Sequence, residues 1–164
     1  MRHGIAHELG ADGSRSDAER TLTNEGRANT RAAARAMARL ELDIDAIWTS
    51  PLARARQTAE IVAETLQKTQ LMEEMAELAL GGGPERVVGA LTRLSRGTGV
   101  LLVGHEPDLS RLVAYLVWGG LDADHVAFKK GGLCRVDCPF GLRPGKAVLR
   151  WLLTPKQLRL LASA

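Results

Sequence analysis

Three short segments of this 164-residue chain carry residue types that can grip and attack an anion. Arg2-His3-Gly4 sets a guanidinium beside an imidazole. Ser50-Pro51-Leu52-Ala53-Arg54-Ala55-Arg56 sets two guanidiniums at the start of a helical pattern. Val103-Gly104-His105-Glu106-Pro107 sets a second imidazole directly after an apolar run. A neutral imidazole can attack phosphorus to form a phosphohistidine, guanidiniums offset charge on the non-bridging oxygens, and a second imidazole adds a further donor. Such a set needs no metal, because arginine and histidine bring the positive charge. Each segment also has a plainer reading. Arg54 and Arg56 could point into solvent, His105 could be a structural hydrogen-bonder, and a terminal tripeptide is ordinarily frayed. The chemical reading rests on all three occurring together.

The elements that must position these residues alternate between strand and helix. Residues 5–20 are polar and read as a loop. Thr23 caps a helix with Ala33, Met37 and Leu40 at helical spacing. Residues 44–49 read as a short buried strand. Ser50 then reads as the N-cap of a second helix and Pro51 as its first residue, with Leu52, Ala55, Ala59, Val62 and Leu66 on the apolar face. Further strands are expected at 70–75, 99–104, around 126–136 and at 147–153. Helices are expected from Pro84 to about Ser95 and from Pro107 to Trp118, with a terminal turn or short helix at 158–161. The run 99–104 is continuously apolar, as a strand covered on both faces should be. The pattern predicts one α/β domain over residues 1–164, a three-layer α/β/α sandwich with a mostly parallel sheet. All three chemical segments then fall at the carboxyl edge of that sheet, where open α/β sheets bind ligands. Cations in the first turn of a helix oppose its dipole, and a bound anion there would remove the conflict.

Composition narrows the classes. Apolar residues make up 45% and charged residues 25%, and the net charge is +3, which describes a globular protein rather than a disordered one. The arginines between Arg15 and Arg39 are interleaved with alanines and acids, so they read as a solvated helix face and not as a nucleic-acid stripe. Cys134 and Cys138 have no second pair to complete a zinc site. No apolar run is long enough to span a membrane, and a cytoplasmic enzyme without metal or cofactor is expected.

Taken together, the motifs resemble those of the histidine phosphatase superfamily, the phosphoglycerate-mutase-like or RHG proteins, over nearly the whole chain. Arg2-His3-Gly4 resembles the signature, Leu22-Thr23-x-x-Gly26 the segment opening the first helix, and Ser50-Pro51-Leu52-x-Arg54-Ala55-x-Gln57-Thr58-Ala59 the third motif. Gly104-His105 resembles the second-histidine site. The length, the Gly81-Gly82-Gly83-Pro84 turn, the run His105-Glu106-Pro107-Asp108-Leu109-Ser110, Lys129-Lys130-Gly131 and the 149–155 tail resemble the short SixA-type phosphohistidine phosphatase branch. The resemblance implies His3 as nucleophile, with Arg2, Arg54, His105 and Glu106 on the phosphate. Its positional candidate for the leaving-group acid is Glu77, with a solvated loop acid as the other reading; Asp17, Glu19, Glu85 and Asp108 are further candidates. It implies a phosphohistidine on a partner protein as substrate. A small phosphate ester, such as a sugar phosphate or nucleotide, is the alternative, and a non-catalytic phospho-ligand module is a third. The resemblance also implies a central hydrophobic strand before Arg2. The motif here begins at residue 2, so that strand is expected to be truncated and Met1 to be an internal methionine of a longer natural chain.

Overall fold

In the computed structural model, which describes residues 1–122 and 126–163, the elements follow the expected alternation. They are α1 (Asn24–Arg39), β1 (Ala46–Thr49), α2 (Ala53–Thr65), β2 (Met72–Glu74), α3 (Pro84–Leu91), β3 (Val100–Val103), α4 (Asp108–Trp118), β4 (Leu133–Asp137), β5 (Val148–Leu153) and α5 (Pro155–Ser163). Strands β2, β1 and β3 form a parallel sheet in that order, and β4 pairs with β5 antiparallel.

Side chains alternate across the strands and so divide the interior in two. Ile47, Leu101 and Val103 pack with Ala33, Met37, Ala59, Val62 and Leu158, which come from α1, α2 and α5. Trp48, Val100 and Leu102 pack with Val87, Leu91, Leu112 and Leu116 from α3 and α4. Helices on both faces of the sheet make the three layers.

Residues 1–3 lie between β3 and the backbone leading into β4. The Met1 amino group donates to the Leu102 carbonyl (2.7 Å) and His3 N–H to that of Gly104 (3.0 Å). On the other side Arg2 N–H donates to the Gly132 carbonyl (3.0 Å) and Gly131 N–H to that of His3 (2.8 Å). Arg2-His3 thus lies in the centre of the sheet, reduced to a single parallel bridge from Arg2 to Gly104.

Some boundaries differ from expectation. Ser50 does not cap α2. Its N–H still pairs with the Val103 carbonyl (2.9 Å), so it belongs to the end of the sheet, and α2 begins two residues past Pro51. Helix α3 ends at Leu91, followed by turns in which Arg93 and Leu94 N–H bond three residues back. Of the expected strand at 126–136 only the part from Leu133 is extended. The tail forms a full helix, because Thr154 bonds Gln157 at its start (2.8 Å) and Leu158 is fully buried.

Candidate active site

The motif segments are fixed to each other by their small and polar residues. Gly4 N–H donates to Thr58 Oγ1 (3.0 Å), which itself donates to the Arg54 carbonyl (2.7 Å). Leu22 N–H donates to Gln57 Oε1 (2.8 Å). Thr23 caps α1 by accepting from Gly26 N–H (2.9 Å). Gly26 has to be glycine, because a Cβ there would lie 2.1 Å from the Ile5 carbonyl oxygen. These contacts clamp the loop after His3 between the first turns of α1 and α2.

A basin of about 180 Å³ opens at the carboxyl edge of the parallel strands, lined by Arg2, His3, Arg20, Arg54, Leu80, His105, Glu106 and Lys130. Four of these eight residues are cationic side chains, so the basin suits an anion. Five of the six candidate residues read from the sequence meet here. The sixth, Glu77, lines a narrow apolar crevice with Leu78, Val87, Asp108, Leu109 and Leu112. His105 forms the wall between the two.

His3 is buried, and its Nδ1 lies 2.7 Å from the Gly4 carbonyl oxygen. A carbonyl only accepts, so Nδ1 carries the proton and Nε2 keeps its lone pair. Burial, followed by the nearby His105, Arg54 and Arg2, pulls the His3 pKa down from 6.5 to about 3, against the opposing Gly4 hydrogen bond. The ring is therefore neutral at physiological pH. The His105 ring centroid is 5.1 Å away. Its pKa falls to about 4, from burial first and then Arg54.

Arg54 is 4% exposed and gripped by Asp17. It donates to the Asp17 carbonyl (2.6 Å) and carboxylate (2.9 Å), while Arg20 donates to the other carboxylate oxygen (2.8 Å). One aspartate thereby orients two basin arginines, and their hydrogen bonds hold its carboxyl below the usual range. Arg56 faces solvent and pairs loosely with Glu60 (3.6 Å) and Glu74 (3.7 Å). Arg2 is anchored through the Phe128 carbonyl (2.8 Å). Burial raises the pKa of Glu106, whose carboxyl meets Ser110 Oγ.

Five contributors to this neighbourhood were not placed on the phosphate by the sequence, although Asp17 was named there as a further acid candidate. Asp17 stands on an isolated 3-10 turn (Asp17–Glu19) with no periodic signal. Arg20 and Leu80 lie in loops. Ser50 was readable only as a cap, but its Oγ lies 2.8 Å from His105 Nε2. Lys130, quoted only as part of a segment, is the exposed cation at the rim.

With this geometry in place, the comparisons agree. Residues 1–83 match the model of the histidine phosphatase superfamily (branch 1). An uncharacterised protein of Picosynechococcus sp. (strain ATCC 27264 / PCC 7002 / PR-6) is 36% identical over 171 residues, covering 99% of this chain and 93% of the relative. This chain therefore belongs to the histidine phosphatase superfamily, on its SixA-like side. Among solved structures, the protein histidine phosphatase SixA complexed with tungstate superposes with a TM-score of 0.83 at 29% identity, covering 96% of both chains. A SixA-type chain from Nakamurella multipartitia gives 0.77 at 24%, covering 94% and 93%. The α-ribazole phosphatase of Shigella flexneri gives 0.69 at 21%, covering 94% and 95%. The last two likenesses concern the fold alone, and that fold serves more than one substrate class.

Among the described residues no cluster of histidine, cysteine, aspartate or glutamate suits a metal ion. No helix there is long and apolar enough to cross a membrane.

Proposed function

We propose that this chain is a metal-independent phosphatase that takes phosphate from a phosphohistidine on a partner protein, through a phosphoryl group carried transiently on His3. One observation carries the reading. Among the described residues, the buried side-chain polar atoms with no partner are Arg2 Nε, His105 Nδ1 and Glu106 Oε1. All three residues line the basin next to the neutral His3. Leaving such groups unpaired costs about 1–3 kcal/mol each, and a phosphoryl group offers its oxygens to the first two. The raised pKa of Glu106 favours its neutral form, which can donate to an anion instead of repelling it.

The chemistry follows from the atoms present. His3 Nε2 attacks phosphorus, the P–N bond of the substrate phosphohistidine breaks, and the leaving imidazole takes up a proton. Water then attacks the phosphoryl group on His3, releasing phosphate and restoring the neutral ring. Arg2, Arg54 and His105 stabilise the developing charge on the non-bridging oxygens. An imidazole is a better leaving group than an alkoxide, so this substrate suits a basin in which Glu106 is the one lining carboxyl among the described residues. Glu77 as proton source has the least geometric support, since it lines the neighbouring crevice and not the basin. The 29% identity to the tungstate-bound SixA supports the same substrate class.

Brief exposure to a labelled phosphodonor should leave an acid-labile, base-stable phosphoryl group that disappears in His3→Ala. Normal turnover by His3→Ala would overturn the mechanism. A panel of phosphohistidine protein, sugar phosphates and nucleotides then decides the substrate. Faster turnover of a small ester would replace the protein reading, and binding of all without turnover would leave a non-catalytic module.

A further inference from the structure

His105 can serve a phosphoryl oxygen only if its partnerless nitrogen carries the proton, and Ser50 decides whether it does. The ring is 1% exposed, with Nε2 2.8 Å from Ser50 Oγ and Nδ1 without a partner among the described residues. Two arrangements fit that contact. Nε2–H can donate to the serine, which leaves a bare lone pair on Nδ1. Alternatively, the serine hydroxyl donates to Nε2, which leaves Nδ1–H as a free donor.

The surroundings of Ser50 separate the two. Its side chain is fully buried, and its Oγ already accepts from Leu52 N–H (3.3 Å). Among the described residues His105 Nε2 is the one acceptor within reach of its proton. Pointing that proton elsewhere would leave a buried donor unpaired, at about 1–3 kcal/mol. The parallel register makes the contact possible. Thr49 stands opposite Val103, so the next residues, Ser50 and Gly104, lead the chain to His105 at the same sheet edge.

We infer that Ser50 is a positioning residue that holds His105 in its Nδ1–H tautomer, making Nδ1 the donor to a phosphoryl oxygen. The two basin histidines then share one tautomer but use opposite nitrogens. His3, with Nδ1–H spent on the Gly4 carbonyl, attacks through Nε2. His105, with Nε2 spent on Ser50, donates through Nδ1. The donor role rests on the function proposed above; the tautomer assignment does not.

Nitrogen-15 NMR of the histidine rings at pH 7 tests this in the intact protein, where the pKa of about 4 keeps His105 neutral. The expected result is a protonated Nδ1 and an unprotonated Nε2. Ser50→Ala removes one buried oxygen, and His105 should then lose the single Nδ1–H form. Turnover should fall on the order of 10²-fold, the usual loss for one oxyanion donor, with the phosphoryl group still detectable on His3. A protonated Nε2 in the intact protein would overturn the inference, as would an unchanged tautomer in Ser50→Ala. If the tautomer is as expected but His3 never accepts phosphate, the proposed function fails and the assignment of Ser50 stands.

Discussion

The basin and the crevice share a wall, His105, and otherwise have little in common. The basin gathers Arg2, Arg20, Arg54 and Lys130 around His3, with one carboxyl pushed toward its neutral form. The crevice is apolar apart from Glu77 and Asp108, and the Asp108 carboxylate is already engaged by Gly81 N–H (2.8 Å). The cations gather in the basin, where Asp17 and Glu106 accompany them, while Glu77 and Asp108 line the crevice. The basin concentrates donors and cations where an anion would develop charge, in a partly water-excluded site where each counts for more. The crevice keeps its carboxylates off that anion. If the contrast is functional, changes on the basin side should be large and changes on the crevice side small.

The sharpest break of the basin is Arg54→Ala. It removes a buried guanidinium and frees Asp17, and the reaction rate should fall by about 10²–10³-fold. Arg54→Lys keeps the charge but not the two-pronged grip on Asp17, so it should recover only a part. Arg56→Ala, two residues on, loses only long pairs on the surface, worth about 0.5 kcal/mol or less. It should leave the rate unchanged. Steady-state kinetics with a phosphohistidine substrate, beside urea unfolding, checks all three. Equal losses at Arg54 and Arg56 would mean that charge near α2 matters and the basin does not.

The pH response is the next largest effect. Both histidines have folded pKa values below 6.5, about 3 for His3 and about 4 for His105. Between pH 6.5 and those values the unfolded chain binds protons that the fold excludes. The contribution of these two rings to stability is therefore full above pH 6.5 and declines as pH falls, each ring contributing up to about 1.4 kcal/mol per pH unit. The decline from His105 ends near pH 4 and that from His3 near pH 3. Urea titrations at pH 7, 6 and 5 should show a slope that drops by up to one proton in His3→Gln. For kcat/KM, which reports the free enzyme, the acid limb should lie well below pH 6.5. An inflection at 6.5 would mean that His3 is not held neutral by burial.

Asp17→Asn is expected to come third. It weakens the grip on Arg54 and Arg20 without removing either from the basin. A loss of about tenfold, mostly in kcat, is consistent with an outer residue that orients a working one. This residue also marks where sequence reading ends. Arg2, His3, Arg54 and His105 were legible because short contiguous motifs carry them and because apolar runs fix where strands stop. Asp17 was a weak acid candidate in a polar loop, since a three-residue turn leaves no periodic trace. Ser50 was read locally as a cap, but its partner is 55 positions away and is set by strand register. The same limit applies at 126–132, where Arg2 draws on the Phe128 and Gly132 carbonyls and the chain is not free to run as a strand. Local pattern finds elements and motif residues; pairings made by the fold stay hidden until the strands are aligned.

The smallest expected effect tests the crevice itself. Glu77 was the positional candidate for a general acid, and it is half-buried beside Leu78 on a short 3-10 turn (Ala76–Leu78). It lines the crevice and is absent from the lining of the basin that holds His3, and His105 is common to both. Glu77→Gln keeps the shape and removes the titratable proton, so kcat on a phosphohistidine substrate should change by less than about threefold, well short of the 10²–10⁴ typical of a lost general acid. A small ester makes the contrast more demanding, because an alkoxide leaving group depends on a proton donor where an imidazole does not. If Glu77→Gln cuts ester hydrolysis by 10²-fold and spares phosphohistidine, the crevice supplies protons for one substrate class only. If it cuts both, the proton path runs through the crevice, and His105 is a relay between the two regions instead of a wall.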